Sequence, residues 1–255
     1  MDTSVAFLGQ FGMNLVMLDG VCPYHGAMKV LTRQGAPWTC SGCLDAKLKA
    51  EASAMWMAQR SADLMTAACI PAKYVGARFA AGTDAQRAVL QTVVAYRDFV
   101  LKQQAWSALI MAGKTGTGKT LLACQLAQSL ISSTARSVRY ITAKGMISEI
   151  QASYSREGKS EEGEIMRFAQ YDVLILDEID AIPDRENSKL LLTEIINRRY
   201  NDNKPVIVIS NQPLVKLANF VGDRVHSRLY ENSFPCDFSW EDFRRTGAAS
   251  RGAAA

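Results

Sequence analysis

The residues best equipped for chemistry form one run, Gly113-Lys114-Thr115-Gly116-Thr117-Gly118-Lys119-Thr120, which satisfies the pattern G-x-x-x-x-G-K-T in full. An apolar stretch from Ser107 to Met111, read as a strand, precedes it, and helix-forming residues from Lys119 to Ile131 follow. That context makes the run a phosphate-binding turn. Its glycines let successive backbone N–H groups converge on phosphate oxygens, and the helix presents the positive end of its dipole. Lys119 is placed for the β and γ phosphates, and Thr120 offers a hydroxyl to Mg²⁺, a cation that prefers hard oxygen ligands. Leu121 completes the nucleotide-binding stretch. Such a site also needs a carboxylate to hold the metal and another to orient water. Val173-Leu174-Ile175-Leu176-Asp177-Glu178 is an apolar strand ending in two acids, the Walker B pattern. Asp177 is assigned to the Mg²⁺ shell and Glu178 to polarising the attacking water. Ser210-Asn211 ends a later apolar strand and sets the Asn211 amide toward the γ phosphate; alone, the dipeptide reads equally as a turn.

A second constellation lies near the amino terminus. Cys22-Pro-Tyr-His25 and Cys40-Ser-Gly-Cys43 are two ligand pairs with two residues inside each. Three thiolates and an imidazole match a closed, tetrahedral, structural Zn²⁺ site. The stretch between them is too poor in apolar residues to offset its conformational entropy, so a bound metal is expected to supply folding free energy. Cys69, Cys124 and Cys236 fall outside that spacing and read as small core residues.

The elements that must position these groups alternate. Helices are expected over Leu44–Cys69, Asp84–Gln104, Lys119–Ile131, Ala143–Ser155, Glu161–Phe168 and Asn187–Tyr200. Strands are expected over Ser107–Met111, Val138–Thr142, Val173–Leu176 and Val206–Ile209. Strands alternating with helices make an α/β fold with a central parallel sheet flanked by helices. Met1 to Gly20 reads as a short lead-in, Pro71 to Thr83 as a linker that docks on the main domain, and the Ala-rich tail after Thr246 as frayed. The boundaries are thus a zinc-binding module with its long helix at 1–69, a linker at 70–83, the nucleotide-binding domain at 84–246 and a disordered tail at 247–255.

The 255 residues are 48% hydrophobic and 21% charged, enough for one sizeable core and a small module. A net charge of +4 permits nucleic acid as a ligand without demanding it. No apolar run approaches the roughly 18 residues of a membrane span, and Met1 to Gly20 lacks a basic leader. The expectation is a cytoplasmic protein with reduced thiols and no membrane contact.

The motifs together carry a resemblance. Lys114 to Thr120, Leu176-Asp177-Glu178-Ile179, Ser210-Asn211, the segment Gly222-Asp223-Arg224-Val225-His226-Ser227-Arg228-Leu229, and Phe238-Ser239-Trp240-Glu241-Asp242-Phe243-Arg244 resemble the DnaC-type replicative helicase loaders of the AAA+ class, from about Ile70 to Arg245. The first motif belongs to all P-loop proteins; the last two segments are much more particular to loaders. The resemblance implies an AAA+ ATPase that binds a hexameric, DnaB-type replicative helicase through its amino-terminal module and places it on single-stranded DNA. It implies self-association through the ATPase domains, with Arg224 or Arg228 acting as a finger on the neighbour's nucleotide and Arg244 as the sensor-2 arginine. Hydrolysis would then be slow outside the assembly. Arg224 and Arg228 are four apart, which puts them on one helix face whether they grip an anion or simply meet solvent.

Loaders also carry an extra helix that touches single-stranded DNA, and Thr142 to Ser160 occupies that position. Lys144, Tyr154, Arg156 and Lys159 offer an aromatic among cations. The same segment reads as an amphipathic helix with Met146, Ile147 and Ile150 turned inward. The amino-terminal module departs from the shortest loaders, which begin with helices alone. Met55, Met57 and Met65 suit either an adaptable binding surface or a core. An ATPase of the IstB type, serving transposition, is the rival reading, and an ATP-binding adaptor without DNA a third.

Overall fold

The computed structural model describes residues 15–103, 105–153, 158, 160–183 and 185–242. The chain divides into two compact units, 1–59 and 60–255, with the boundary inside a helix.

In the first unit, β1 (Leu15–Cys22) pairs antiparallel with β2 (Gly26–Arg33), from Leu15 opposite Arg33 to Cys22 opposite Gly26. Gly26, at φ +76°, lets the chain turn back at the hairpin tip. The expected lead-in is therefore partly strand. The first four residues of β1, Leu15-Val16-Met17-Leu18, are all apolar and lack the apolar–polar alternation that marks a half-buried strand. Trp38 lies over Gly20, where an added Cβ would come within 2.6 Å of the indole. The helix α1 (Ser41–Ala67) starts three residues before the expected Leu44, which brings Cys43 into its first turn, and it buries no residue.

The second unit is built on a five-stranded parallel sheet in the order β4-β5-β6-β3-β7. The strands are β3 (Ala108–Gly113), β4 (Val138–Thr142), β5 (Val173–Asp177), β6 (Val206–Ser210) and β7 (Ser233–Phe238). Helices α2 (Asp84–Lys102), α3 (Lys119–Thr134), α4 (Ala143–Ala152), α5 (Glu161–Gln170), α6 (Glu186–Asn201), α7 (Leu217–Val221) and α8 (Asp223–Glu231) cover it. The period-two alternation of buried strands splits the core in two. Ile110, Leu174, Leu176, Val206 and Val208 pack with α4, α5, α6 and α8, whereas Leu109, Met111, Val173, Ile175, Ile207 and Ile209 pack with α2 and α3.

Side-chain caps from Thr83, Thr142 and Ser160 begin α2, α4 and α5. Thr83 and Gln86 form a reciprocal capping box at the start of α2. Fully buried Arg199 donates to the carbonyl oxygens of Phe168, Ala169, Tyr171 and Pro205, tying the end of α5 to the start of β6. Burial pushes its guanidinium well below the usual arginine range. Sequence reading gave no strand at β7, because Pro235 sits inside it. An edge strand tolerates proline, and β7 borders only β3. Cys124 and Cys236 are buried, but Cys69 is exposed, at φ +55° just beyond α1, so it is no core residue. No helix among the described residues is long and apolar enough to cross a membrane.

Candidate nucleotide site and metal centre

The turn after β3 opens a cleft of about 290 Å³ lined by Thr115, Gly116, Gly118, Lys119, Thr120 and Leu121, with Asp177, Glu178 and Asn211 across from them. Gly116 and Gly118 take φ +75° and +92°, which L side chains adopt only with strain. Lys119 Nζ donates to the carbonyl oxygens of Gly113 and Lys114 at 2.8 and 2.6 Å, and Thr117 Oγ1 to that of Lys114 at 2.8 Å, so the loop is braced by its own side chains. Gly113 has a different reason to be glycine. At φ +131°, its Cβ would meet the Phe238 backbone at 2.4 Å, so the residue answers to β7 and not to a phosphate.

The rest of the second unit closes over this loop. Trp240 donates its indole N–H to the Thr117 carbonyl at 3.1 Å and meets the Phe79 and Phe238 rings at tilted angles. The Asp242 carboxylate lies so close to Gly116 that a Cβ there would fall 1.8 Å from its oxygen. Gln128 and Gln125 of α3 bind the main chain at Tyr74, Gly76 and Phe79. They hold Lys73, Tyr74 and Ala77 at the cleft wall. Sequence reading missed these three, since nothing in the local pattern of the linker marks a ligand contact.

Across the cleft, Asp177 Oδ2 accepts hydrogen bonds from Thr120 Oγ1 at 2.9 Å and Tyr140 OH at 2.8 Å, and Oδ1 accepts from the Glu178 N–H at 2.8 Å. Burial first, and then the neighbouring Asp177 carboxylate, push the Tyr140 phenol far above its ordinary range, so it remains a donor. The hydroxyl of Thr120 and the carboxylate of Asp177 are hard oxygen donors in contact, a pair that fits Mg²⁺. Glu178 is exposed in the left-handed region at φ +52°, which costs about 1–3 kcal/mol and turns its side chain out of the strand line. Asp180, also missed, accepts from Ser210 Oγ and the Asn211 N–H at 3.0 and 2.9 Å and so orients the end of β6.

The candidate arginines lie elsewhere in the unit. Arg224 is exposed on α8. Arg228 donates to Asn197 Oδ1 and lies over the Tyr200 ring, 5.1 Å from its centroid. Lys144 is exposed on α4, and Met146, Ile147 and Ile150 are buried, as an amphipathic helix requires. Tyr154, Arg156, Lys159 and Arg244 lie outside the described residues.

In the first unit, the hairpin tip and the start of α1 bring Cys22, His25, Cys40 and Cys43 together, all ligand atoms lying within 4.8 Å of one another. Cys22 and Cys43 sulfurs are 3.5 Å apart, and His25 Nδ1 is 3.6, 3.4 and 3.5 Å from the sulfurs of Cys22, Cys40 and Cys43. Bonds of about 2.3 Å to sulfur and about 2.0 Å to nitrogen give tetrahedral edges of about 3.8 Å for sulfur pairs and about 3.5 Å for sulfur to nitrogen. The four side chains therefore fit Zn²⁺. The Tyr24 N–H and then His25 draw the Cys22 thiol down to about 6, whereas the neighbouring Cys22 and then burial push the Cys43 thiol up to about 11, since clustered thiols cannot all ionise without a cation between them. Gly42 is required beneath the imidazole, since a Cβ there would lie 2.9 Å from Nε2.

A parallel sheet with a phosphate-binding loop after β3 and an acidic pair after β5 defines a P-loop ATPase of the AAA+ class. The chain belongs to the IstB-like ATP binding protein family, which matches residues 26–228. It is similar to the replicative helicase loader DnaC of Escherichia coli K12, with 28% identity over 139 residues, 54% of this chain and 56% of that one. The loader DnaC of Buchnera aphidicola subsp. Schizaphis graminum is 27% identical over 164 residues, 64% of this chain and 65% of that one. The match thus spans little more than half the length of the Escherichia coli relative. Among solved structures, a DnaC helicase loader superposes with a TM-score of 0.56 at 22% identity, covering 66% of this chain and 99% of that one. Domain III of the Thermotoga maritima replication initiation protein DnaA gives 0.56 at 20% identity, covering 68% and 70%. These structural likenesses establish the fold.

Proposed function

We propose that the protein is an ATP-dependent helicase loader, in which residues 1–69 form a zinc-stapled module that grips a hexameric, DnaB-type replicative helicase. Residues 84–246 are the ATPase domain in this reading, assembling along single-stranded DNA behind the linker 70–83. The observation that carries it is the apolar surface of the first unit. Val21, Tyr24 and Met55 are 73%, 85% and 75% exposed, and Met17 and Trp56 are exposed as well. Large apolar side chains left exposed on a small unit with four candidate metal ligands suit a partner's surface better than solvent.

Mg²⁺ is held by Thr120 and Asp177, and Zn²⁺ by Cys22, His25, Cys40 and Cys43. Glu178 orients the attacking water, Asn211 faces the γ phosphate, and Tyr74 offers its ring to the base. Arg224 or Arg228 completes a neighbour's site, so ATP acts as a switch of assembly. The test is retention of the purified replicative helicase of the same host by the immobilised full chain, with ATP, before and after zinc chelation. Retention that chelation abolishes is expected; no retention in either state overturns the loader reading. The family match favours one alternative, an IstB-like ATPase assisting transposition. Filaments formed with ATP on duplex DNA, without helicase capture, would support it.

A further inference from the structure

We infer that Tyr140 is a positioning residue for the metal-binding carboxylate, fixing Asp177 in the orientation that lets Thr120 and Asp177 share one cation. The inference rests on the assignment of Asp177 to the Mg²⁺ shell made above. Asp177 is 5% exposed, and burying a carboxylate is costly unless its oxygens accept hydrogen bonds. It has three donors: Tyr140 OH and Thr120 Oγ1 on Oδ2, and the Glu178 N–H on Oδ1. A carboxylate offers about four acceptor positions, so the three donors leave little freedom for the free lone pair. Thr120 donates its proton to Asp177, which turns its own lone pairs away from the carboxylate and toward the cleft.

Register explains why the third donor is a tyrosine. On the neighbouring strand β4, Thr142 lies opposite Asp177 and Tyr140 opposite Ile175. Tyr140 is thus the diagonal neighbour of Asp177 on the same face, a span that a short hydroxyl such as Ser or Thr cannot bridge and a phenol can. The strand beneath it is also held, because the Tyr140 N–H donates to the Ala68 carbonyl at 2.8 Å and the ring packs on the core of the α2–α3 face. The phenol is therefore set in place before any ligand arrives, as a partner that orients a metal ligand must be.

Tyr140→Phe in the full chain removes the hydroxyl and keeps the ring. Binding of a fluorescent ATP analogue would be followed in EDTA and against rising Mg²⁺, with Mn²⁺ binding read separately by electron paramagnetic resonance. The expected result is unchanged affinity in EDTA and a cation requirement raised about tenfold or more, the usual effect of removing such a partner. An unchanged cation requirement overturns the inference. Equal weakening in EDTA and in Mg²⁺ also overturns it, since that marks a purely structural hydroxyl. Asp177→Asn separates the two levels of the argument. If that variant too keeps its cation requirement, the Asp177 assignment has failed; if it loses cation dependence while Tyr140→Phe does not, only the role of Tyr140 has.

Discussion

Gly113→Ala tests the reason for the first glycine of the phosphate loop. At φ +131°, its Cβ would lie 2.4, 2.8 and 2.9 Å from the Phe238 carbonyl oxygen, carbonyl carbon and nitrogen. All three are backbone atoms of β7, so no rotamer change relieves the overlap. The positive φ alone costs about 1–3 kcal/mol. Relief requires β7 to withdraw, which breaks the hydrogen bond from the Lys114 N–H to the Phe238 oxygen, now 3.1 Å long. That adds about 1 kcal/mol, for a total of about 2–4 kcal/mol. A unit of this size loses about 2–4 °C in Tm per kcal/mol, so scanning calorimetry should record a fall of roughly 5–15 °C. Gly116→Ala is the comparison, because its Cβ meets a side chain, the Asp242 carboxylate, and not backbone. It should lose only the backbone cost of about 1–2 kcal/mol once Asp242→Ala is added. A Gly113→Ala protein melting within about 2 °C of the parent, or no lower than Gly116→Ala, refutes the reasoning.

Tyr74→Ala should weaken ATP by roughly 5- to 100-fold, the loss of one stacked base, and leave pyrophosphate affinity unchanged in calorimetric titrations. Equal losses for both ligands would remove Tyr74 from the base site. Asp172 supplies a pH dependence of stability. Burial alone would raise its carboxyl, but the Ser137 N–H and hydroxyl, with Lys204, outweigh burial and hold it below the ordinary value of 3.8. Its folded pKa is depressed, so its contribution is complete above the unfolded pKa and is lost as pH falls through the folded one. The stability gap between parent and Asp172→Ala, measured by urea unfolding, should therefore be constant near neutrality and shrink below about pH 4; a gap independent of pH would be evidence against it. Arg224→Ala and Arg228→Ala should each retain ATP binding, and the one that removes the finger should lower hydrolysis about a thousandfold in the assembled state only. Normal turnover by both assembled variants would end the trans-arginine reading.

What the sequence revealed followed from how each site is encoded. The phosphate loop, Asp177-Glu178 and the two ligand pairs are contiguous or nearly so, and their spacing carries the chemistry without reference to the fold. Tyr140, Tyr74 and Asp180 come to the cleft only through pairings between distant segments: Tyr140 reaches Asp177 across 37 positions and Asp180 reaches Ser210 across 30. No local pattern marks them. Gly113 shows a subtler limit, because its glycine was legible but its reason was not. The loop motif points to phosphate, whereas the atoms that exclude a side chain belong to β7, a strand whose proline hid it.

The charge of the cleft bears on how the site works. Two cations, Lys73 and Lys119, line it among the described residues, facing Asp177 and Glu178. ATP brings several negative charges, and phosphoryl transfer spreads further charge over the γ-phosphate oxygens, which catalysis must neutralise. A cation shared by Thr120 and Asp177, as proposed, would offset part of it. Arg228, held over Tyr200 and by Asn197, is a guanidinium whose rotamer freedom is already spent, so an arriving subunit's phosphate would meet it with little further loss of entropy. On this account binding and hydrolysis separate with concentration: ATP affinity should be the same for dilute and assembled protein, while turnover per subunit rises with assembly. Turnover that stays flat as concentration carries the protein from monomer to oligomer would mean that the cleft neutralises its phosphate with its own residues alone.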